Sequence, residues 1–122
     1  MAESLLERIG GEGTVGAAVD AHYVRMLADD RVKAFFDGVD MAQLGVNQKA
    51  FMVREFGGPD NYAGRDMRSS HLQFVSKGLN DSHVDAFIES LLGAFRERGV
   101  ASSLIDEIQG VLESHRKDVL NK

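Results

Sequence analysis

The chain has no cysteine and a single proline. The missing cysteines exclude disulfides, cysteine-based zinc sites, iron–sulfur clusters and thioether attachment of a cofactor. That absence is compatible with a reducing compartment. Basic residues are outnumbered, 14 against 19 acidic, for a net charge of −5. With no Lys/Arg cluster to follow a phosphate backbone, no nucleic-acid partner is expected. No apolar run is long enough to cross a bilayer, and the first residues, through Glu3, Glu7 and Arg8, are too charged for a signal peptide. These points lead to the expectation of a cytoplasmic protein without membrane insertion. Flavin and nicotinamide fingerprints are missing, as are internal repeats, low-complexity segments and strand-like alternation. What remains is an ordinary globular composition, 43% hydrophobic and 27% charged. The 122 residues suit one domain, 1–122, with one core, expected to be a monomer.

Helical spacing dominates, so the expected fold class is all-α. A short helix from Ser4 to Ile9 should end at Gly10-Gly11. A second runs from Thr14 to Ala28, with Val15, Val19, Tyr23 and Met26/Leu27 on its buried face. Val32 to Phe36 reads as a tight turn or 3₁₀ piece, in which the adjacent rings of Phe35 and Phe36 cannot share a direction. Asp40, with Gln43 three residues on, should cap a helix reaching about Phe56. Gly57-Gly58-Pro59-Asp60 breaks the chain, and Asp60 to Met67 reads as a loop. A short helix carries His71 and stops at Gly78. Asn80 or Asp81 caps the strongest stripe: Val84, Phe87, Ile88, Leu91, Leu92 and Phe95. Gly99 ends it. Ser102 or Ser103 should start a final helix with Ile108, His115 and Val119 on one face.

Three polar residues interrupt the apolar faces, on three different helices: Tyr23, Gln48 and His71. The Tyr23 hydroxyl needs a partner inside the fold. Gln48 is either a structural amide satisfied by backbone or water, or a pocket donor; unsatisfied, it would cost roughly 1–3 kcal/mol. A lone helical His is most often packed or solvated, yet a neutral imidazole is also a good iron ligand. A core wants few such groups, whereas a pocket with one metal ligand and two hydrogen-bonding side chains wants these.

A series of short marks decides between those readings: Gly10-Gly11, Val19-Asp20 to Tyr23, Phe35-Phe36, Val39-Asp40-Met41-Ala42, Gln48-Lys49-Ala50-Phe51, Phe56-Gly57-Gly58, Tyr62, Gly64-Arg65, Met67-Arg68, His71, Gly78-Leu79-Asn80, His83 and the tail from His115 to Asn121. In this order, from Leu6 to Lys122, the sequence resembles a group I truncated haemoglobin, most of all the cyanoglobin-like members. The resemblance implies a two-over-two helical sandwich around haem b. It implies His71 as the proximal iron ligand and Phe36 as a ring wedging the haem. It places Tyr23, Leu44, Asn47 and Gln48 on the distal side, where Tyr23 and Gln48 would act on the bound gas. Phe51, Met67, Phe74, Leu79, Val84 and Phe87 would line the porphyrin, and Arg65, Arg68 and Lys77 are candidates for the propionates. His115 is either a core histidine or, as in the relatives whose tail it shares, a point of covalent attachment to a haem vinyl group.

Two positions depart from the cyanoglobin pattern. Asn47 stands where some relatives carry a distal iron-binding His, which implies an open sixth site, since Asn is a poor iron ligand. Leu44 stands where those relatives have Gln, and the Tyr23, Leu44 and Gln48 set resembles members that bind oxygen tightly and oxidise nitric oxide. The implied partners are therefore O₂, NO and CO. The first function is gas binding or storage. The alternative is nitric oxide dioxygenation, which needs a separate reductase, and a haem-free helical interaction module is the third.

Overall fold

In the computed structural model, which describes residues 3–63 and 66–122, helix caps set most of the boundaries. Ser4 opens α1 (Leu5–Ile9) by accepting a hydrogen bond from the Glu7 backbone N–H, and Gly10 closes it in the left-handed region at φ 114°. Gly11 follows at φ 82° and already begins α2 (Gly11–Leu27). The helix thus starts earlier than Thr14, with Glu12 in its first turn to complement the dipole. A side chain at Gly10 would be strained by that φ and would place its Cβ 2.4 Å from Thr14 Oγ1. After a 3₁₀ turn at Lys33–Phe36, Asp40 caps α3 (Met41–Glu55) by accepting from the Gln43 N–H. Asp66, which carried no expectation, caps α4 (Met67–Ser76) through Ser69. Asn80 caps α5 (Asp81–Glu97) with His83 returning the bond.

The last expected helix is two. Ala101, without a side-chain bond, precedes α6 (Ser102–Glu113), and α7 (Arg116–Leu120) follows a break at Ser114 and His115. The break has a local cause. The Ser114 hydroxyl donates to the Val111 carbonyl at 2.5 Å, the acceptor that an unbroken helix would give to His115. The His115 N–H turns instead to Leu112, at 3.1 Å. Such back-bonding is how Ser competes with a helix ladder.

Helix α2 packs against both α3 and α5, α5 against α6, and α1 against α2 and α6, while α4 packs chiefly against α7. The two longer pairs, α2–α3 and α5–α6, therefore form two layers joined through α2 and α5. Phe56, Phe95, Met52, Leu91, Ile108, Val15 and Val19 are fully buried between them. The α5 stripe follows its pattern, with Val84, Ile88, Leu91, Leu92 and Phe95 buried. On α2, Met26 is inside and Leu27 outside at 46% exposure. His22, one residue before Tyr23, is fully buried too. No helix among the described residues is long and apolar enough to cross a membrane.

Candidate functional site

A cavity of about 340 Å³ lies among α2, α3, the 3₁₀ turn, α4, α5 and the α6–α7 break. Of the site residues named from the sequence, the iron ligand, the distal set, the porphyrin-lining set and the attachment point all line it: Tyr23, Phe36, Leu44, Asn47, Gln48, Phe51, Met67, His71, Phe74, Leu79, Val84, Phe87 and His115. Its size falls in the range of small-molecule and cofactor sites, and its mostly apolar wall with a few polar groups is the usual make-up of such a site.

His71 is oriented by its own helix. Its Nδ1 lies 2.8 Å from the Met67 carbonyl and 3.0 Å from the Ser70 hydroxyl. A carbonyl only accepts, so Nδ1 carries the proton and Nε2 keeps the lone pair. Burial lowers the pKa of the ring, against a smaller raising effect of the Met67 bond. The result is a neutral imidazole with one fixed tautomer and an unprotonated Nε2, the arrangement in which a His can bind a metal. Among the described residues no cluster of three or more His, Cys, Asp or Glu could hold a metal ion. A single His suits a metal whose other positions are filled by a ligand it brings with it.

Tyr23 is 9% exposed, and burial pushes its hydroxyl far above the usual phenol range. It therefore stays a neutral O–H donor. Its ring meets Phe36 edge-on at 6.0 Å, while Phe35 turns the other way, onto Phe74 and His83. The sequence calls for an internal partner for this hydroxyl, but among the described residues the Tyr23 side chain has no hydrogen-bond partner and no hydrogen bond joins it to Gln48. The Asn47 carbonyl oxygen accepts from the Gln43 amide at 3.0 Å. Phe51 is buried and touches Tyr62 and His115, with ring centroids 5.6 and 5.1 Å away.

His115 differs from its expected setting on an apolar helix face. It sits at the helix break, half-buried, with Nε2 2.7 Å from Glu55 Oε1. The sequence pattern missed this pairing because sixty positions separate the two residues. Of the candidate anion-binding residues, Arg68 is bonded to Asp118 at 3.0 Å and to the Lys122 carbonyl at 3.2 Å, Lys77 is exposed, and Arg65 lies outside the described residues. The cavity wall instead contains Tyr62, His83 and Arg116. His83 accepts the Asn80 N–H at Nδ1, 3.0 Å away, so its Nε2 is the protonated nitrogen and a donor when the ring is neutral.

The family described as bacterial-like globin matches residues 4–121. A group 1 truncated haemoglobin of Synechocystis sp. is 47% identical over 98% of both chains. This chain belongs to the truncated haemoglobins. A second relative of this globin, from Tetrahymena pyriformis, is 39% identical over 98% of this chain and 97% of its own. Among solved structures, the 2/2 haemoglobin of Synechococcus sp., in the cyanomet state and with covalently attached haem, superposes with a TM-score of 0.93 at 43% identity, covering 98% of this chain and all of the other. The Fe(III) form of the Tetrahymena pyriformis protein gives 0.92 at 38% identity with the same coverage. The truncated globin fold, two helices over two, accounts for the way α2–α3 and α5–α6 enclose the cavity.

Proposed function

We propose that this truncated haemoglobin, acting as one domain over residues 1–122, holds haem b through His71 and binds O₂ and other diatomic gases. The observation that carries the reading is the fixed tautomer of His71, which leaves an unprotonated Nε2 on a largely apolar cavity that Tyr23 also lines. Haem bound there supplies a ferrous iron able to take a diatomic ligand.

The chain's own residues supply the rest. His71 would hold the iron through its unprotonated Nε2, and the Met67 carbonyl increases the basicity of that nitrogen by accepting a hydrogen bond from Nδ1–H. Phe36, Met67, Phe74, Leu79, Val84 and Phe87 line the cavity and would exclude water from the bound haem. Tyr23, kept neutral by burial, donates a hydrogen bond to a gas that carries partial negative charge, and Gln48 adds a second polar group on the same side. A bond of this kind contributes about 1.5–3 kcal/mol, which slows release roughly 10–150-fold. Asn47 offers no imidazole, so it would leave room for a gas on the iron that His71 would hold. His115 borders the cavity as a point of attachment for a haem vinyl group.

Tight retention of O₂ also suits a reaction in which NO and O₂ become nitrate, with a separate reductase as electron donor. Tyr23 and Gln48 beside an apolar Leu44 favour this second reading. The test is to load the protein with haem, measure O₂ dissociation from the ferrous form, then mix the oxygenated protein with NO and quantify nitrate. Slow release identifies the gas-binding site. Nitrate formed repeatedly with a reductase present identifies the dioxygenase. A protein that takes up no haem would exclude both.

A further inference from the structure

His115 does not stand free at the cavity edge. Its Nε2 lies 2.7 Å from Glu55 Oε1. The other carboxylate oxygen of Glu55 accepts from Arg54 Nε at 3.2 Å. The Arg54 guanidinium in turn lies over the rings of Phe51 and Tyr62, 5.2 and 4.9 Å from their centroids. A carboxylate held from one side by a stacked arginine thus holds the imidazole from the other. The two side chains are only 22% and 24% exposed, so water competes weakly for their bond.

We propose that Glu55 restrains His115 and so sets the rate at which this histidine bonds to haem. The inference rests on the haem reading above. The chemistry is an addition: a ring nitrogen forms a bond to one vinyl carbon, the vinyl π bond is lost, and the proton leaving the ring ends on the other vinyl carbon. No oxidant or reductant is consumed. The attacking nitrogen needs a lone pair. Beside an ionised Glu55, Nε2 carries a proton in the neutral and in the charged ring alike, so its lone pair is not available. Reaction through Nε2 therefore requires the charge-assisted bond to break and the ring to carry its proton on Nδ1 instead, from which it leaves as the new bond forms. That bond is of the strong type, and it fixes the ring's orientation as well as its protonation.

Removing the carboxylate frees the ring. Wild-type, Glu55→Gln, Glu55→Ala and Glu55→Ala/His115→Ala proteins are loaded with ferric haem, reduced with dithionite, and sampled over time by acid–butanone extraction. The haem remaining with the protein is the readout, together with the blue shift of the pyridine haemochrome band that a saturated vinyl group produces. Glu55→Ala should retain haem roughly tenfold faster than wild type or more, the size of one charged hydrogen bond. Glu55→Gln should fall between them, because its amide oxygen still accepts from Nε2–H without the charge. The double variant should release all its haem. Equal or slower attachment in Glu55→Ala, or complete extraction from every protein, would overturn the restraint while a normal Soret band leaves the haem reading intact. A wild-type protein with no Soret band would overturn both.

Discussion

The Nδ1 of His71 and the carbonyl of Met67 lie 2.8 Å apart, one turn from each other on α4. The bond is local to the helix, so the free Nε2 is set wherever α4 forms. His71→Ala should lose haem on gel filtration and regain it only with added imidazole. A normal Soret band and ferrous-CO spectrum without imidazole would contradict the assignment.

Among the described residues the Tyr23 hydroxyl has no hydrogen-bond partner, so its loss should be felt by the gas. Tyr23→Phe should raise the O₂ dissociation rate at least about tenfold, from the loss of one hydrogen bond to a charged acceptor. Gln48→Leu should have a smaller effect, because Gln48 is not bonded to Tyr23. Stopped-flow displacement of O₂ by CO measures both, and wild-type rates in the two variants would remove the distal assignment.

The ferrous, ligand-free protein should be mainly five-coordinate. Asn47 is bonded to Gln43, and His22, which precedes Tyr23, does not line the cavity and is fully buried with Nδ1 3.0 Å from Ser90 Oγ. A single broad visible band is expected. Sharp, split bands would show an internal sixth ligand.

His22 should make the fold sensitive to acid. Burial first, then the nearby Arg25 charge, lowers its pKa from 6.5 to about 3. Below pH 6.5 the unfolded chain takes up a proton that the native ring refuses. Stability from this group is therefore fully present above about pH 6.5 and is lost as pH falls toward 3. Each pH unit in that window should cost up to about 1.4 kcal/mol. His22→Phe keeps an aromatic ring against Tyr23 and Phe87 and removes Nε2, a buried nitrogen with no partner among the described residues. Urea midpoints between pH 4 and 7 should be less pH-dependent in this variant than in wild type. An unchanged slope would exclude His22 as the cause.

Local signals in the sequence account for much of this architecture. Asp40 with Gln43, Asn80 before the α5 stripe, and the opposed rings of Phe35 and Phe36 all act within a few residues, and the structure follows them. The misses have two physical origins. One is competition for a single acceptor, as when Ser114 takes the Val111 carbonyl and splits a helix that the apolar period runs straight through. The other is distance along the chain. Glu55 meets His115, and His22 meets Ser90, through contacts that no period records. The spacing of Val15, Val19, His22 and Met26 does place His22 on the core face of α2, and its polarity hid that signal. The meeting of Tyr23, Gln48 and His71 at one cavity was legible only through the family pattern, because periodicity orients each face without fixing what it faces.

Helix α4 has no fully buried side chain and leans chiefly on the five-residue α7. A segment so thinly supported opens at little free-energy cost, and its apolar side chains Met67 and Phe74 find cover against whatever fills the cavity. Binding that favours the closed form adds its own free energy to folding, about 2.7 kcal/mol at a hundredfold excess over Kd. Haem supply would then govern proteolytic lifetime: a cell short of haem would clear this globin through cuts at α4, and the amount of intact protein would report how much cofactor the cell has to spare.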